Sequence, residues 1–368
     1  MLQAKILKQD PREMMSAAKE QSRPGESGEQ TAGRIIRESR GRREPGKAAE
    51  KKSKGAAMSG FTALYRKELT DHFSGVRVFL IFCLMFIVTA MSLNGAIGNL
   101  SDAIADSKEY VFLKLFTTSG DSIYSFTTFL GFFGPIIGIA LGFDAVNNEK
   151  SQGTLIRIAS QPIYRDAIIN AKFLAGCTVI FVLTFVLGGF ETGVGIIKTG
   201  LRPGPEEFGR IFIYLLFSAV YCCVWLAMSV FFSVICKHAA TAAISGISIW
   251  LFLTMFMSLA AQGIANAIYP LTGWGAYYNQ YKNYSLQIGL NRISPYYLYS
   301  EAVSIIMDPS SRSVGLVTES QYSGAVVSYL SIGQSVLLIW PHLVAMFAIA
   351  VVLFAIAYIC FMKQEIRA

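Results

Sequence analysis

Charge-free stretches long enough to cross a bilayer recur along this chain from residue 78 to its end. They occupy 78–100, 122–143, 211–236, 239–281 and 320–362, and a sixth, 173–190, continues past the lone Glu191 to Ile197. A helix needs roughly 20 apolar residues to cross a hydrocarbon core of about 30 Å. Backbone polar groups in lipid must be satisfied internally, so only helices and closed barrels can span it. Runs this long and continuous do not suit barrel strands. The predicted fold class is therefore an all-α integral membrane protein with six spans, near 76–98, 124–142, 173–197, 211–235, 241–262 and 338–361. Charged residues make up 15% of the chain, against about 25% in soluble domains, which argues against an ordinary cytosolic enzyme.

Six spans put both termini on one side, and the basic residues choose it. Residues 1–77 hold 17 of the 32 Lys and Arg but 10 of the 24 Asp and Glu. The tail, the 143–172 loop, the 236–240 turn and the C-terminus together hold 24 Lys and Arg, against 8 in the alternate loops. The positive-inside bias predicts a multi-pass cell-membrane protein with both termini cytoplasmic. Most of that excess lies in the tail, so the basic balance reports orientation and offers no nucleic-acid-binding face.

The tail, 1–57, is rich in Glu, Lys, Arg, Gly and Ser, and such a composition cannot bury enough surface to offset its ordering entropy. It is expected to be a disordered cytoplasmic segment ahead of a six-span domain at 58–368. Gly41–Ala48 imitates the phosphate-loop pattern, yet Ala48 stands where Ser or Thr would hold Mg²⁺, and no apolar strand precedes it. From Phe61 the pattern changes: Phe61, Leu64, Tyr65, Leu69 and Phe73 fall on one helical face. This predicts an amphipathic helix lying in the cytoplasmic interface as an elbow before the first span.

The loop between the second and third spans carries the most specific pattern. It opens with carboxylates and then runs Glu149, Gly153-Thr154-Leu155, Ile156, Pro162, Arg165 and Lys172. The spacing predicts a short amphipathic helix over 155–159, stopped by Pro162. Held between two spans, its apolar edge is suited to engaging a cytosolic partner.

In order and spacing these residues resemble the E-x-x-x-G-T-L…P…R…K signature of ABC-2-type transporter permeases. Tyr65-Arg66-Lys67-Glu68-Leu69 is similar to that family's N-terminal motif, and Phe361–Ile366 to its ending. The resemblance covers about 58–368. It implies the transmembrane subunit of an ATP-driven transporter, an exporter, whose ATP and Mg²⁺ are bound by a separate cytosolic ATPase chain. This chain itself would hold no cofactor. The 143–172 loop would carry the coupling helix, with Gly153, Thr154, Leu155 and Ile156 at the contact and Glu149, Pro162 and Arg165 shaping it. A second permease copy or paralogue would complete the assembly.

The extracytoplasmic region, 263–337, is long for a chain reversal and holds eight of the 17 tyrosines between Tyr269 and Tyr299. Such residues gather at membrane interfaces; a lid over the pathway or a dock for an extracytoplasmic partner is the other reading. A short helix is predicted at Pro295–Ile306. The part of the 320–362 run that precedes the last span, with Gly324, Ser331, Gly333 and Gln334, reads either as a re-entrant or interfacial segment or as an apolar outer loop. Glu191 falls about 27 Å along its span, at the outer interface, and is expected to be solvated. The alternatives to a permease are a channel or an intramembrane protease using Ser248 and His342. A protease would need that pair at one depth. His72, His238, His342 and six scattered cysteines suggest neither a metal site nor a disulfide framework.

Overall fold

The computed structural model describes residues 45–106, 109–120, 124–153, 164–310 and 329–364. The chain divides at Ser59/Gly60, and the second unit holds the membrane bundle. All regular structure among the described residues is helical. Among the described residues, six helices are long and apolar enough to cross a membrane.

Helix α1 (Pro45–Ser74) begins inside the basic tail. At Gly75 the backbone turns extended and α2 (Val76–Gly98), the first span, begins. Two short helices, α3 (Leu100–Asp106) and α4 (Val111–Thr117), follow. The second span is α5 (Phe126–Gly142), continued through a turn by α6 (Asn147–Ser151). The third is α7 (Arg165–Thr199), ended by Gly200 at φ 71°. The fourth is α8 (Pro205–Ile235), opened by a proline in its first turn and two glutamates that suit the positive end of the helix dipole.

The fifth span is made of α9 (Ala239–Leu251), a π-helical turn at Phe252–Phe256 and α10 (Met257–Ile268). On the far side lie α11 (Ala276–Asn291) and α12 (Pro295–Met307). The last span is α13 (Ile332–Lys363). Ser331 and Gln334 belong to its start, Gln334 Oε1 accepting the Ser331 N–H at 3.1 Å. The earlier part of the segment weighed as re-entrant or as an outer loop, 320–328 with Gly324, lies outside the described residues.

The bundle is built around α8. Of its most apolar stretch 78% is buried within the chain, against 17% for α13. Gly134, Gly138 and Gly142 repeat every four residues on the face of α5 that meets α8. A Cβ at Gly138 would fall 2.5 Å from the Cys222 carbonyl oxygen, and one at Gly142 2.9 Å from Ser229 Cβ. Lipid gives apolar helices no hydrophobic reason to associate, so close backbone approach through small residues supplies the packing.

This contact also repairs a backbone defect. Pro135 lies inside α5 and has no N–H for the carbonyl of Gly131 one turn earlier. Tyr221 of α8 donates its hydroxyl to that carbonyl at 3.0 Å. In a bilayer such a freed acceptor needs a protein partner.

Candidate functional site

The motif residues gather at the end of the bundle where α5 and α8 finish and α7 starts. From α1, Leu64 and Glu68 are buried, and Phe61, Tyr65 and Leu69 pack beside the core, while Phe73 remains exposed. Tyr65 OH meets Thr178 Oγ1 of α7 at 2.8 Å. The predicted apolar face is thus spent largely on the bundle itself.

Lys172, in the second turn of α7, is the hub. Its Nζ lies 2.9 Å from Glu68 Oε2 of α1 and 2.8 Å from Glu149 Oε1 of α6. All three side chains are largely buried, and the more exposed Lys67 adds a contact to Glu68 at 3.0 Å. Burial by itself would raise the Glu68 carboxyl pKa, but Lys172 and then Lys67 reverse that and hold it below the usual carboxylate value. One cation between two carboxylates binds the end of α1, the exit of the second span and the start of the third.

Neighbouring contacts fix the same loop. Arg77 donates to Asp144 Oδ2 at 2.7 Å. Ser233 Oγ, at the end of α8, accepts the backbone N–H groups of Val146 and Asn147 at 3.0 and 3.3 Å. Beyond the loop, Arg165 Nη2 donates to the carbonyls of Gln364 and Phe361 at 2.9 and 3.4 Å. Its guanidinium also lies over the Phe361 ring. Gln364 Nε2 in turn donates to the Val234 carbonyl at 2.6 Å. Entry and exit of the loop are therefore both held to the bundle.

Gly153 closes the described entry at φ 68°, with open space around a Cβ position. That conformation favours glycine, with asparagine next, and costs most other residues roughly 1–2 kcal/mol. Thr154, Leu155, Ile156 and Pro162 lie outside the described residues, as does the short helix expected there. The structure brings Glu149 together with Lys172, and places Arg165 separately, on the chain's C-terminal end.

Two buried ionisable residues lie at the opposite end of the bundle, Arg210, which the sequence reading passed over, and Glu191, which it placed in water. Arg210 is fully buried in α8. It donates to the Ile306 carbonyl at 2.9 Å, to Ser335 Oγ at 3.1 Å, to Glu206 Oε1 and to the Leu330 carbonyl. It thereby ties α8, α12 and α13 together. Its place at the edge of a charge-free run disguised it as an ordinary flanking cation. Glu191 corrects the expectation of a solvated helix end. It is fully buried, and neither carboxylate oxygen has a hydrogen-bond partner among the described residues. One turn further along α7, a Cβ at Gly195 would meet Leu115 of α4 at 3.1 Å, a packing at that end which rise along a single span does not reveal.

The tyrosines of 263–337 divide. Tyr277, Tyr278 and Tyr281 of α11 and nearby Trp274 are exposed, whereas Tyr299 of α12 is buried against Tyr221 and Ser218. Helix α12 agrees with the helix predicted at Pro295–Ile306. The protease pairing fails: Ser248 is exposed on α9, and His342 is buried with Nε2 2.8 Å from Glu301 Oε2.

The family description "ABC-2 family transporter protein" matches residues 62–366. A probable ABC transporter permease protein, NosY of Pseudomonas aeruginosa, is 28% identical over 155 residues. That match covers 40% of this chain and 54% of the relative's length, so the chain spans about half of the curated relative. Six membrane-crossing helices and a family match over most of the length agree: this chain is a multi-pass membrane protein of the ABC-2 transporter family.

Proposed function

We propose that the chain is the transmembrane permease subunit of an ATP-driven exporter, coupled through its 143–172 loop to a separate ABC ATPase that binds ATP and Mg²⁺. The observation that carries this reading is the anchoring of both loop ends, by Lys172 on Glu149 and by Arg165 on the Gln364 and Phe361 carbonyls. A segment that receives force from a partner and passes it to the spans must be tied to them at both ends. Glu149, Gly153 and Arg165 fix its frame, Thr154, Leu155 and Ile156 provide the contact, and Pro162 ends it. Family membership and the permease name of the relative support the same reading.

In this reading the loop faces the cytosol, as the distribution of Lys and Arg favours, with both termini on that side of the cell membrane. The outer surfaces of α2, α9–α10 and α13 expose Phe79, Leu80, Ile244, Leu259, Phe347 and Val352. Such faces suit lipid and a second permease copy. The exposed aromatics of α11 suit an extracytoplasmic partner or the headgroup layer.

The test is co-purification from the native membrane, comparing the wild type with Leu155→Asp. An ATP-binding protein that accompanies the wild type, and is lost from an inserted and folded variant, supports the reading. An intact membrane protein that no ATPase ever accompanies overturns it.

A further inference from the structure

Between the start of α5 and one face of α12 lies a cleft of about 310 Å³. The end of α4 and the start of α5 contribute Thr117, Ser125, Thr127 and Thr128, and α12 contributes Ser300 and Ser304. Along α12 the lining runs from Tyr296 to Asp308, about 18 Å at 1.5 Å per residue. The Tyr296 end is deep, because neighbouring Tyr299 stacks on Tyr221 at 4.4 Å, about half-way along α8. A Cβ on Gly131 would fall 2.8 Å from Tyr299 Cε1, so α5 and α12 touch here and close the floor. The Asp308 end lies beside buried Arg210, which takes the Ile306 carbonyl at 2.9 Å, away from the 143–172 loop.

Six aliphatic hydroxyls in one cleft contrast with the faces that suit lipid, where α13 exposes Trp340, Val344 and Phe347. Polar side chains on membrane-crossing segments collect where they meet water or a polar ligand. Each hydroxyl owns one hydrogen and two lone pairs. Ser300 Oγ donates its hydrogen to the Tyr297 carbonyl at 3.0 Å, and Ser304 Oγ donates to the Glu301 carbonyl at 2.8 Å. Ser125 Oγ accepts the Thr128 N–H at 3.4 Å and lies 3.1 and 3.0 Å from the hydroxyls of Thr127 and Thr128. With those hydrogens spent inside the protein, lone pairs are what the α12 wall offers, and the Asp308 carboxylate adds acceptors at the mouth. A ligand here must bring donors. An anion brings none, and among the described residues no Lys or Arg lines the cleft to hold one. Val303, Met307 and the Tyr296 ring give the same cleft an apolar flank, which a simple cation would leave unused. A neutral sugar matches both, with donating hydroxyls around its rim and C–H groups on its faces.

We propose that this cleft binds a neutral polyhydroxylated ligand, a sugar unit either free or as the headgroup of a lipid. Its volume is at the small end of ligand cavities, about 300–1,000 Å³, and suits a single unit. The inference rests on the permease reading for the ligand's role as cargo, and on the cleft alone for its chemistry.

The full chain is prepared in a detergent without a sugar headgroup. A panel of neutral disaccharides of glucose, galactose, mannose and N-acetylglucosamine is read by saturation-transfer NMR, and glucosyl diacylglycerol by native mass spectrometry. Binding of at least one is expected, weakened about tenfold by Thr128→Val and by Ser300→Ala combined with Ser304→Ala, which remove hydroxyls and keep the helices. Ser258→Ala, exposed on α10 outside the cleft, should bind as the wild type does. Binding of a disaccharide assigns the site to free sugar, and binding of the glycolipid alone assigns it to a headgroup. Failure of every sugar to bind overturns the proposal, as does binding that these variants leave unchanged. Binding of spermidine in place of any sugar also overturns it, giving the cleft to a cation. Sugar binding needs no ATPase: if none ever co-purifies and binding holds, the permease reading alone fails. If an ATPase co-purifies and no sugar binds, only the assignment of the cleft fails.

Discussion

Lys172 and Glu68, 104 residues apart, meet at 2.9 Å in a buried contact that ties the helix before the first span to the start of the third. Glu149 approaches the same ammonium from the loop between them. Removing the shared cation leaves two carboxylates facing each other out of water. Breaking a buried pair by deleting one partner costs about 3–5 kcal/mol. Lys172→Met should therefore lower the melting temperature of the purified protein clearly, and adding Glu68→Gln should recover part of the loss. A Lys172→Met protein that melts with the wild type would refute the hub.

Glu68 also sets a pH dependence. Its folded carboxyl is held below its ordinary value of 4.5. A depressed folded pKa contributes stability that is present above the unfolded value and lost as pH falls through the folded one. The gap in melting temperature between wild type and Glu68→Gln should thus be full at neutral pH and close on acidification below about 4.5. A gap that widens in acid would contradict the assigned charge state.

Tyr221→Phe removes the donor that Gly131 gains in place of the amide Pro135 lacks. An unsatisfied buried carbonyl costs about 1–3 kcal/mol. In a Pro135→Ala background the helix supplies its own N–H, so the cost of Tyr221→Phe should shrink. Thermal unfolding of the four proteins in this cycle gives the coupling directly, and additive effects would sink the explanation.

Arg210→Lys is not conservative at this site. One guanidinium serves two backbone carbonyls, a serine hydroxyl and a carboxylate, and a lysine ammonium cannot reproduce that fork. Loss of two or more buried hydrogen bonds should cost about 2–4 kcal/mol. Thermal unfolding of the purified variant should show that loss, because α12 and α13 are no longer tied to α8.

At Gly153 the backbone, at φ 68°, admits asparagine better than a β-branched residue. Gly153→Asn should retain co-purifying ATPase activity while Gly153→Val loses much of it. Equal activity in both would show that the turn tolerates any side chain and does not aim the loop.

The six spans were legible because crossing a bilayer is a local demand: each helix must supply its own apolar length and satisfy its own backbone. The same holds for Pro295 at the start of α12, where a proline and the preceding serine cap suffice. The loop motif was legible as residue types at fixed spacing, but its partners were not. Nothing near Lys172 in sequence announces Glu68, and nothing near Arg165 announces the Gln364 carbonyl. Glu191 shows the limit from the other side: rise along a helix put it at the membrane surface, while the folded bundle buries it completely. His342 likewise looked like a candidate base for Ser248 until the fold delivered Glu301 instead. Hydrophobic length is written residue by residue, so the sequence alone determined where this protein crosses the membrane. The pairing of buried charges depends on which distant helices pack together, and only the tertiary structure decided that.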